Sequence, residues 1–231
     1  MNEAIVLAGG LGTRLRPVVA DRPKVLAPVA GRPFLHWLLQ GLARQGILRT
    51  VLATGYMAEA VRESVGEAFA GLAVAYSHET TPLGTGGAIY AALAHCSGAR
   101  VAVLNGDSWL GLDLAGLAAA APGADLVVAA RPVADRARYG SLRTAAGRLL
   151  GMAEKGVGGP GLINAGLYRL GRDLPARRPQ PPAFSFETAV LADPAGLDAR
   201  VYVTEAPFID IGTPEDYARA QELIPRWAGG G

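Results

Sequence analysis

Apolar positions along this chain follow two alternating rhythms. The run Ala4 to Ala8 is short and unbroken, as in a strand buried on both faces. From Pro33 to Gln45, the residues Phe34, Leu35, Trp37, Leu38, Leu39 and Leu42 fall at helical spacing, with Pro33 at an acceptable first position. Ile47 to Thr54 predicts a second strand, Ala58 to Val65 a second helix and Ala73 to Tyr76 a third short strand. A helix over about Gly86 to Ala94, a strand from Val101, a helix over Leu112 to Ala121 and a strand over Asp125 to Ala130 continue the series. Such alternation predicts an α/β fold with a parallel sheet and helices on both faces, in which ligands gather at the carboxyl ends of the strands.

Beyond Ala130 the alternation loosens. Arg138 to Leu142 and Leu149 to Lys155 read as extended segments around a turn at Ala146-Gly147, and a glycine-rich, mobile loop follows from Gly156 to Gly161. Ile163 to Tyr168 resumes as a strand, and Arg172 to Ala183, rich in Pro and Arg, reads as a surface connector. A helix is expected from Phe184 to about Leu191 with Ser185 as its N-cap. The last strand, Phe208 to Ile211, leads to a helix capped by Thr213 with Pro214 first and an apolar face over Tyr217 to Leu223. Residues 228–231 read as a disordered tail.

Composition narrows the classes. The 231 residues are half apolar, enough for one substantial domain with a sizeable core. The net charge of +2, with no basic block, argues against nucleic acid or an anionic membrane as partner. The single cysteine, Cys96, permits no intrachain disulfide and reads as a buried thiol; none of His36, His78 and His95 has metal-ligand spacing to another. With no apolar stretch of ~18 residues and no signal peptide at the start, a cytoplasmic location is expected. Trp37 or Trp109, if exposed, would be available to a homodimer interface.

The chemistry is concentrated at the opening. Leu7-Ala8-Gly9-Gly10-Leu11-Gly12-Thr13-Arg14 places three glycines in four positions directly after the first strand, and Lys24 follows in Arg22-Pro23-Lys24-Val25-Leu26. Glycine lets successive N–H groups turn inward, Arg14 gives a planar fork and Lys24 a point charge: a combination suited to polyphosphate. A dinucleotide-binding turn needs a third glycine where Leu15 stands, and a P-loop needs Gly-Lys-Ser/Thr, which is absent. Asp107, after Asn105-Gly106 at a strand end, is placed to hold Mg²⁺ together with substrate phosphates, or else serves as a turn former. Glu187 is placed to support the first turn of its helix.

The run L-A-G-G-x-G-T-R-L-x-P with R-P-K-x-L-x-P-V behind it resembles the signature of the sugar-1-phosphate nucleotidyltransferases, and the resemblance recurs along almost the whole chain. It implies a Rossmann-like (GT-A-type) fold, three-layer α/β/α with a mixed, mostly parallel central sheet. It further implies a nucleotide-binding half over residues 1–110, a sugar-phosphate-binding half over 111–227, and transfer from an NTP to a sugar 1-phosphate with release of pyrophosphate. Leu7, Ala8, Gly9, Gly10, Gly12, Thr13 and Arg14 would hold the nucleotide's phosphates. The Pro82-Leu83-Gly84-Thr85-Gly86-Gly87-Ala88 segment would hold base and ribose through Gly84, Thr85 and Gly86. Glu79 falls where a base-reading residue is expected, and a carboxylate suits the two N–H donors of guanine; the bland alternative is a solvated loop charge.

In the acceptor half, R-Y-G, E-K and I-N-A-G recur in the family's order. The resemblance implies that Lys155 grips the sugar phosphate and that Asn105, Gly140, Glu154, Asn164 and Glu187 contact the sugar. Gly156 stands where the family often has Pro. Asp210 would join Asp107 in holding Mg²⁺, which only the fold can arrange. Lys24 would lie between donor and acceptor phosphates. The combination L-N-G-D-S, R-Y-G-S, I-N-A-G, F-S-F-E and F-I-D-I-G-T-P-E-D-Y is most similar to the D-glycero-α-D-manno-heptose 1-phosphate guanylyltransferases, which make GDP-heptose for capsule, S-layer or lipopolysaccharide. Uridylyl-, thymidylyl- or cytidylyltransferases for N-acetylmuramate or glucose 1-phosphate share the phosphate apparatus. A non-catalytic nucleotide-sugar-binding module on the same fold is a further alternative, and an NAD-dependent oxidoreductase is disfavoured by Leu15.

Overall fold

The computed structural model describes residues 1–229 except Leu11, Thr13, Arg14, Arg16, Pro17, Ala20, Leu112, Glu154 and Lys155. The chain opens with β1 (Glu3–Leu7), a 3-10 turn at Lys24–Leu26, and the two-residue strands β2 (Pro28–Val29) and β3 (Arg32–Pro33). Then come α1 (Phe34–Arg44), β4 (Arg49–Thr54), α2 (Ala58–Val65), β5 (Ala68–Phe69), β6 (Leu72–His78), α3 (Gly84–Leu93) and β7 (Arg100–Asn105). The second half holds β8 (Ser108–Leu110), α4 (Leu114–Ala119), β9 (Leu126–Val133), β10 (Ser141–Ala145), β11 (Arg148–Ala153) and β12 (Gly161–Gly171). It closes with α5 (Leu174–Arg177), a π-helical turn at Glu187–Leu191, β13 (Ala199–Val203), β14 (Phe208–Asp210) and α6 (Pro214–Gly229).

One large sheet runs in the order β10-β11-β13-β9-β12-β7-β1-β4-β6-β5. The core β7-β1-β4-β6 is parallel, as expected from the strand–helix alternation. Long β12 then enters antiparallel between β7 and β9, while β13 runs parallel to β9. The sheet is therefore mixed, with most strands pointing one way and β5, β11 and β12 reversed.

The apolar runs build a core on each face. Ala4, Val6, Leu52, Ala102 and Leu104 face α1, α4 and α6; Ile5, Val51, Ala53, Val101 and Val103 face α3 and the Phe186–Leu191 segment. Because adjacent residues point to opposite faces, both must be apolar, which is why these strands read as unbroken runs.

Several expectations are corrected. Pro33 ends β3 and occupies the N-cap position of α1 rather than its first turn. The Ala146-Gly147 turn does form, both residues having positive φ (47° and 73°), as a two-residue hairpin requires. Within the glycine-rich loop, Gly159 N–H donates to Asp135 at 3.1 Å, Arg136 N–H to the Gly159 carbonyl at 3.1 Å, and Gly156 N–H to the Ala137 carbonyl at 2.9 Å. The Pro/Arg connector contains α5, and its Arg177 pairs with buried Asp125. Ala228 and Gly229, expected in a disordered tail, complete α6; Trp227 stacks on Trp109 with centroids 5.4 Å apart, and Arg44 bonds the Ala228 carbonyl. Trp109 is thereby buried, and Trp37 is half-buried with its indole N–H on the Val29 carbonyl at 3.0 Å, so neither is an exposed aromatic. Cys96 is buried, which pushes its thiol up to about 11. Among the described residues no helix is long and apolar enough to cross a membrane.

Candidate functional site

The carboxyl ends of β1 and β7 open into a cleft of about 690 Å³ that runs under the second half of the chain. Of the residues singled out in the sequence, Leu7, Gly10, Gly12, Lys24, Thr85, Asn105, Asp107, Gly140, Asn164, Glu187 and Asp210 line it. Thr13, Arg14, Glu154 and Lys155 lie outside the described residues.

Lys24 is held from below. It begins the 3-10 turn whose Val25 and Leu26 are buried, so core packing fixes the backbone under the ammonium group. Nζ donates to Asp107 Oδ2 at 2.7 Å and lies beside Gly212. The Lys24 side chain is only 11% exposed against 40% for Asp107, so the lysine forms cleft wall while the carboxylate remains open to a ligand. Gly12 passes close to it with φ +58°, and a Cβ there would stand 2.8 Å from that of Lys24, so no larger residue fits without displacement.

Asp210 reaches the same place through β14, which pairs antiparallel with β8 and sets Asp210 opposite Ser108. Ile211 N–H then donates to the Asp107 carbonyl at 2.9 Å. The two carboxylates the sequence leaves far apart thus stand on adjoining segments. Among the described lining residues Lys24 is the one cation, paired with Asp107, and the lining carboxylates are Asp107, Glu187 and Asp210. Hard carboxylate oxygens in such a set suit a divalent ion such as Mg²⁺, with substrate phosphates supplying the remaining ligands. No group of three or more His, Cys, Asp or Glu is gathered to hold a metal among the described residues.

Not every sequence-selected residue faces the cleft. Ala8 is buried, its N–H donating to the Ala53 carbonyl at 2.7 Å. Glu79 lies against Gly9, half-buried, and accepts the Leu83 N–H at 2.8 Å. The start of α3 departs most from expectation. The Gly86 and Gly87 N–H groups donate to the Phe184 carbonyl at 3.0 and 3.4 Å, and Phe184 N–H returns to the Leu83 carbonyl at 2.9 Å. Gly84 and Gly86 therefore meet the Phe184 segment, where a Cβ on Gly86 would sit 2.1 Å from the Phe184 ring. The helix start is capped by protein.

Thr85 follows that segment. Its hydroxyl donates to Glu187 Oε2 at 2.5 Å and accepts the Phe186 N–H at 2.9 Å; Ser185 donates to the same carboxylate oxygen at 3.0 Å and accepts the Thr188 N–H at 3.3 Å as an N-cap does. Asn164 donates Nδ2–H to the Tyr168 hydroxyl at 2.7 Å and accepts the Gly166 N–H at 3.0 Å. Tyr168 is fully buried, and burial, then the Glu187 charge, pushes its phenol far above the usual range. Asn105 Oδ1 is buried with no protein partner, an acceptor at the cleft wall.

Sequence reasoning missed Tyr139, Met152, Phe208 and Ser108 as lining residues. Tyr139 packs edge-on against Phe208 at 5.9 Å, and burial raises its phenol pKa. Arg138 beside it binds buried Asp216 at the start of α6, where Thr213 caps by accepting the Asp216 N–H at 3.2 Å. Tyr139 directly precedes Gly140 in the R-Y-G motif, which is the signal that pointed there.

A family model described as Nucleotidyl transferase matches residues 3–226 of this chain. The D-glycero-alpha-D-manno-heptose 1-phosphate guanylyltransferase of Aneurinibacillus thermoaerophilus is 38% identical over 97% of this chain and 99% of its own length. That of Campylobacter jejuni is 38% identical over 93% and 96%. The crystal structure of HddC from Yersinia pseudotuberculosis complexed with GMP-PN has a TM-score of 0.86 and 38% identity, covering 96% of this chain and 99% of that one.

Proposed function

The chain belongs to the nucleotidyl transferase family, and from that premise we propose that it transfers the guanylyl group of GTP to D-glycero-α-D-manno-heptose 1-phosphate, giving GDP-heptose and pyrophosphate. The observation that carries the reaction type is the meeting of Lys24, Asp107 and Asp210 at one end of the sheet. The choice of base and sugar rests on the near full-length similarity to the heptose 1-phosphate guanylyltransferases and on the GMP-PN complex of a close structural relative.

A phosphate monoester has its second pKa near ~6, so the acceptor is already largely dianionic at neutral pH and needs no general base. One of its oxygens attacks the α-phosphorus, the bond to the β-phosphate oxygen breaks, and pyrophosphate leaves with the electron pair. The obstacle is repulsion between two anions, answered by positioning and fixed positive charge. Lys24, anchored on Asp107, neutralises charge where the two phosphates approach each other. Asp107 and Asp210 would hold Mg²⁺, which supplies charge neutralisation on the phosphate oxygens.

Residues 1–110 serve the nucleotide in this reading, with Leu7, Gly9, Gly10, Gly12, Thr13 and Arg14 at the phosphates and Glu79 reading guanine. Residues 111–227 serve the acceptor, with Lys155 at its phosphate and Gly140, Glu154, Asn164 and Glu187, joined by Asn105, at its hydroxyls. Asn105 and Asn164 both line the cleft on that side. In this reading the protein works in the cytoplasm, where its proposed nucleotide substrate is available.

The test is pyrophosphate release with Mg²⁺ across GTP, UTP, CTP, ATP and dTTP against heptose, mannose, glucose and N-acetylmuramate 1-phosphates. Activity concentrated on GTP with the heptose phosphate is expected. A different preferred pair discards the specificity, and silence throughout with GTP still bound moves the protein to a sensing role.

A further inference from the structure

The P-L-G-T-G-G-A segment reads, by sequence, as part of the nucleotide site, yet its threonine is committed elsewhere. We propose that Thr85 is an acceptor-side positioning residue: together with Ser185 it fixes the Glu187 carboxylate at the sugar end of the cleft. The inference rests on the function proposed above.

Two hydroxyls converge on one carboxylate. Both hydroxyl protons go to one oxygen, Glu187 Oε2, from Thr85 at 2.5 Å and Ser185 at 3.0 Å. Each hydroxyl is itself oriented by a backbone N–H, Phe186 on Thr85 and Thr188 on Ser185. Neither side chain can turn away without losing a donor and an acceptor contact at once. The backbones are locked in turn, because Gly86 and Gly87 bond the Phe184 carbonyl and Phe184 bonds Leu83. Glu187 begins a π-helical turn, a local widening often found where a helix aims a side chain at a site.

Thr85, Ser185 and Glu187 all line the cleft, on the wall shared with Asn105 and Asn164. The Glu187 charge is felt at the buried Tyr168 hydroxyl, which holds Asn164. A carboxylate held through one oxygen presents its other oxygen as an acceptor in fixed orientation. It therefore selects an acceptor substrate offering a hydroxyl there and disfavours one carrying its own carboxylate, since like charges in a partly desolvated cleft repel strongly.

The experiment measures steady-state pyrophosphate release by wild type, Thr85→Val, Thr85→Ser and Glu187→Gln, varying GTP and heptose 1-phosphate separately. Thr85→Val keeps the shape and removes the hydrogen bonds. It is expected to raise KM for the heptose phosphate about tenfold, the scale of one hydrogen bond to a charged group, while KM for GTP stays within about twofold. Thr85→Ser restores the wild-type values. Glu187→Gln is expected to narrow, by about tenfold, the preference for heptose over N-acetylmuramate 1-phosphate, and it serves as the deciding variant if Thr85→Val does not fold. A GTP KM that shifts alone in Thr85→Val, or an acceptor preference unchanged in Glu187→Gln, overturns the inference with the overall function intact. A wild-type enzyme inactive on every sugar phosphate overturns the function itself, and the inference with it.

Discussion

Lys24 Nζ donates to Asp107 Oδ2 at 2.7 Å, joining the 3-10 turn at Lys24–Leu26 to the residue that follows β7 and Gly106. The pair is partly solvated on the aspartate side, so its own contribution to stability is small. In the proposed reaction it holds a cation where the two phosphates would meet. Replacing Lys24 by Ala is expected to lower kcat/KM by roughly 10²–10³, as for one lost oxyanion donor, with the melting temperature nearly unchanged. Unaltered turnover in Lys24→Ala would remove this residue from the reaction.

Asp107 and Asp210 meet only because β14 pairs with β8. If they share a divalent ion, chelation with EDTA abolishes pyrophosphate release and added Mg²⁺ restores it. Asp210→Asn then requires a higher Mg²⁺ concentration for half-maximal rate, on the order of tenfold or more. A Mg²⁺ titration unmoved by that substitution would exclude Asp210 from metal binding.

Gly86 sits where two effects oppose each other. Ala in place of Gly within a helix gains about 1 kcal/mol of propensity, but a Cβ here would stand 2.1 Å from the Phe184 ring. Phe184 cannot retreat cheaply, because its backbone bonds both Leu83 and Gly86. Overpacking costs ~1–3 kcal/mol, so Gly86→Ala is expected to lower stability in urea unfolding. Phe184→Ala added to it should recover part of the loss; additivity of the two would refute the clash.

What the sequence displayed and what it concealed follow from the same physics. The end of β7 was legible because a strand buried on both faces reads as an apolar run, and Asn105-Gly106-Asp107 breaks it abruptly. β13 passed unnoticed: five residues long, mostly half-buried, it is defined by its parallel pairing with β9, a relationship no local pattern carries. The end of α6 was hidden by the glycine run that begins at Gly229, while Trp227 had a partner, Trp109, in the other half of the chain. The glycines of α3 show the deeper ambiguity. A glycine that admits a ligand and one packed against another segment of the same protein look alike in sequence, and Gly86 packs against the Phe184 ring.

Glu3 offers a test remote from the cleft. It is buried, and burial by itself would raise its pKa. Against that, it accepts the Ser97 N–H at 2.8 Å, the Gly98 N–H, and Arg49 Nη1 at 2.9 Å, and these together hold the carboxyl below its ordinary value. A carboxylate depressed in the folded state contributes stability that is fully present above its unfolded pKa, about 4.3, and is lost as pH falls through the lower folded value. Glu3→Gln is therefore expected to lose about 1–3 kcal/mol at pH 7. The deficit relative to wild type should shrink on acidification below about pH 4, because only the wild type loses its charge there. Urea midpoints of both proteins between neutral and acid pH decide the matter: a deficit independent of pH would mean that shape, and not the ionised carboxylate, is what Glu3 provides at the base of β1.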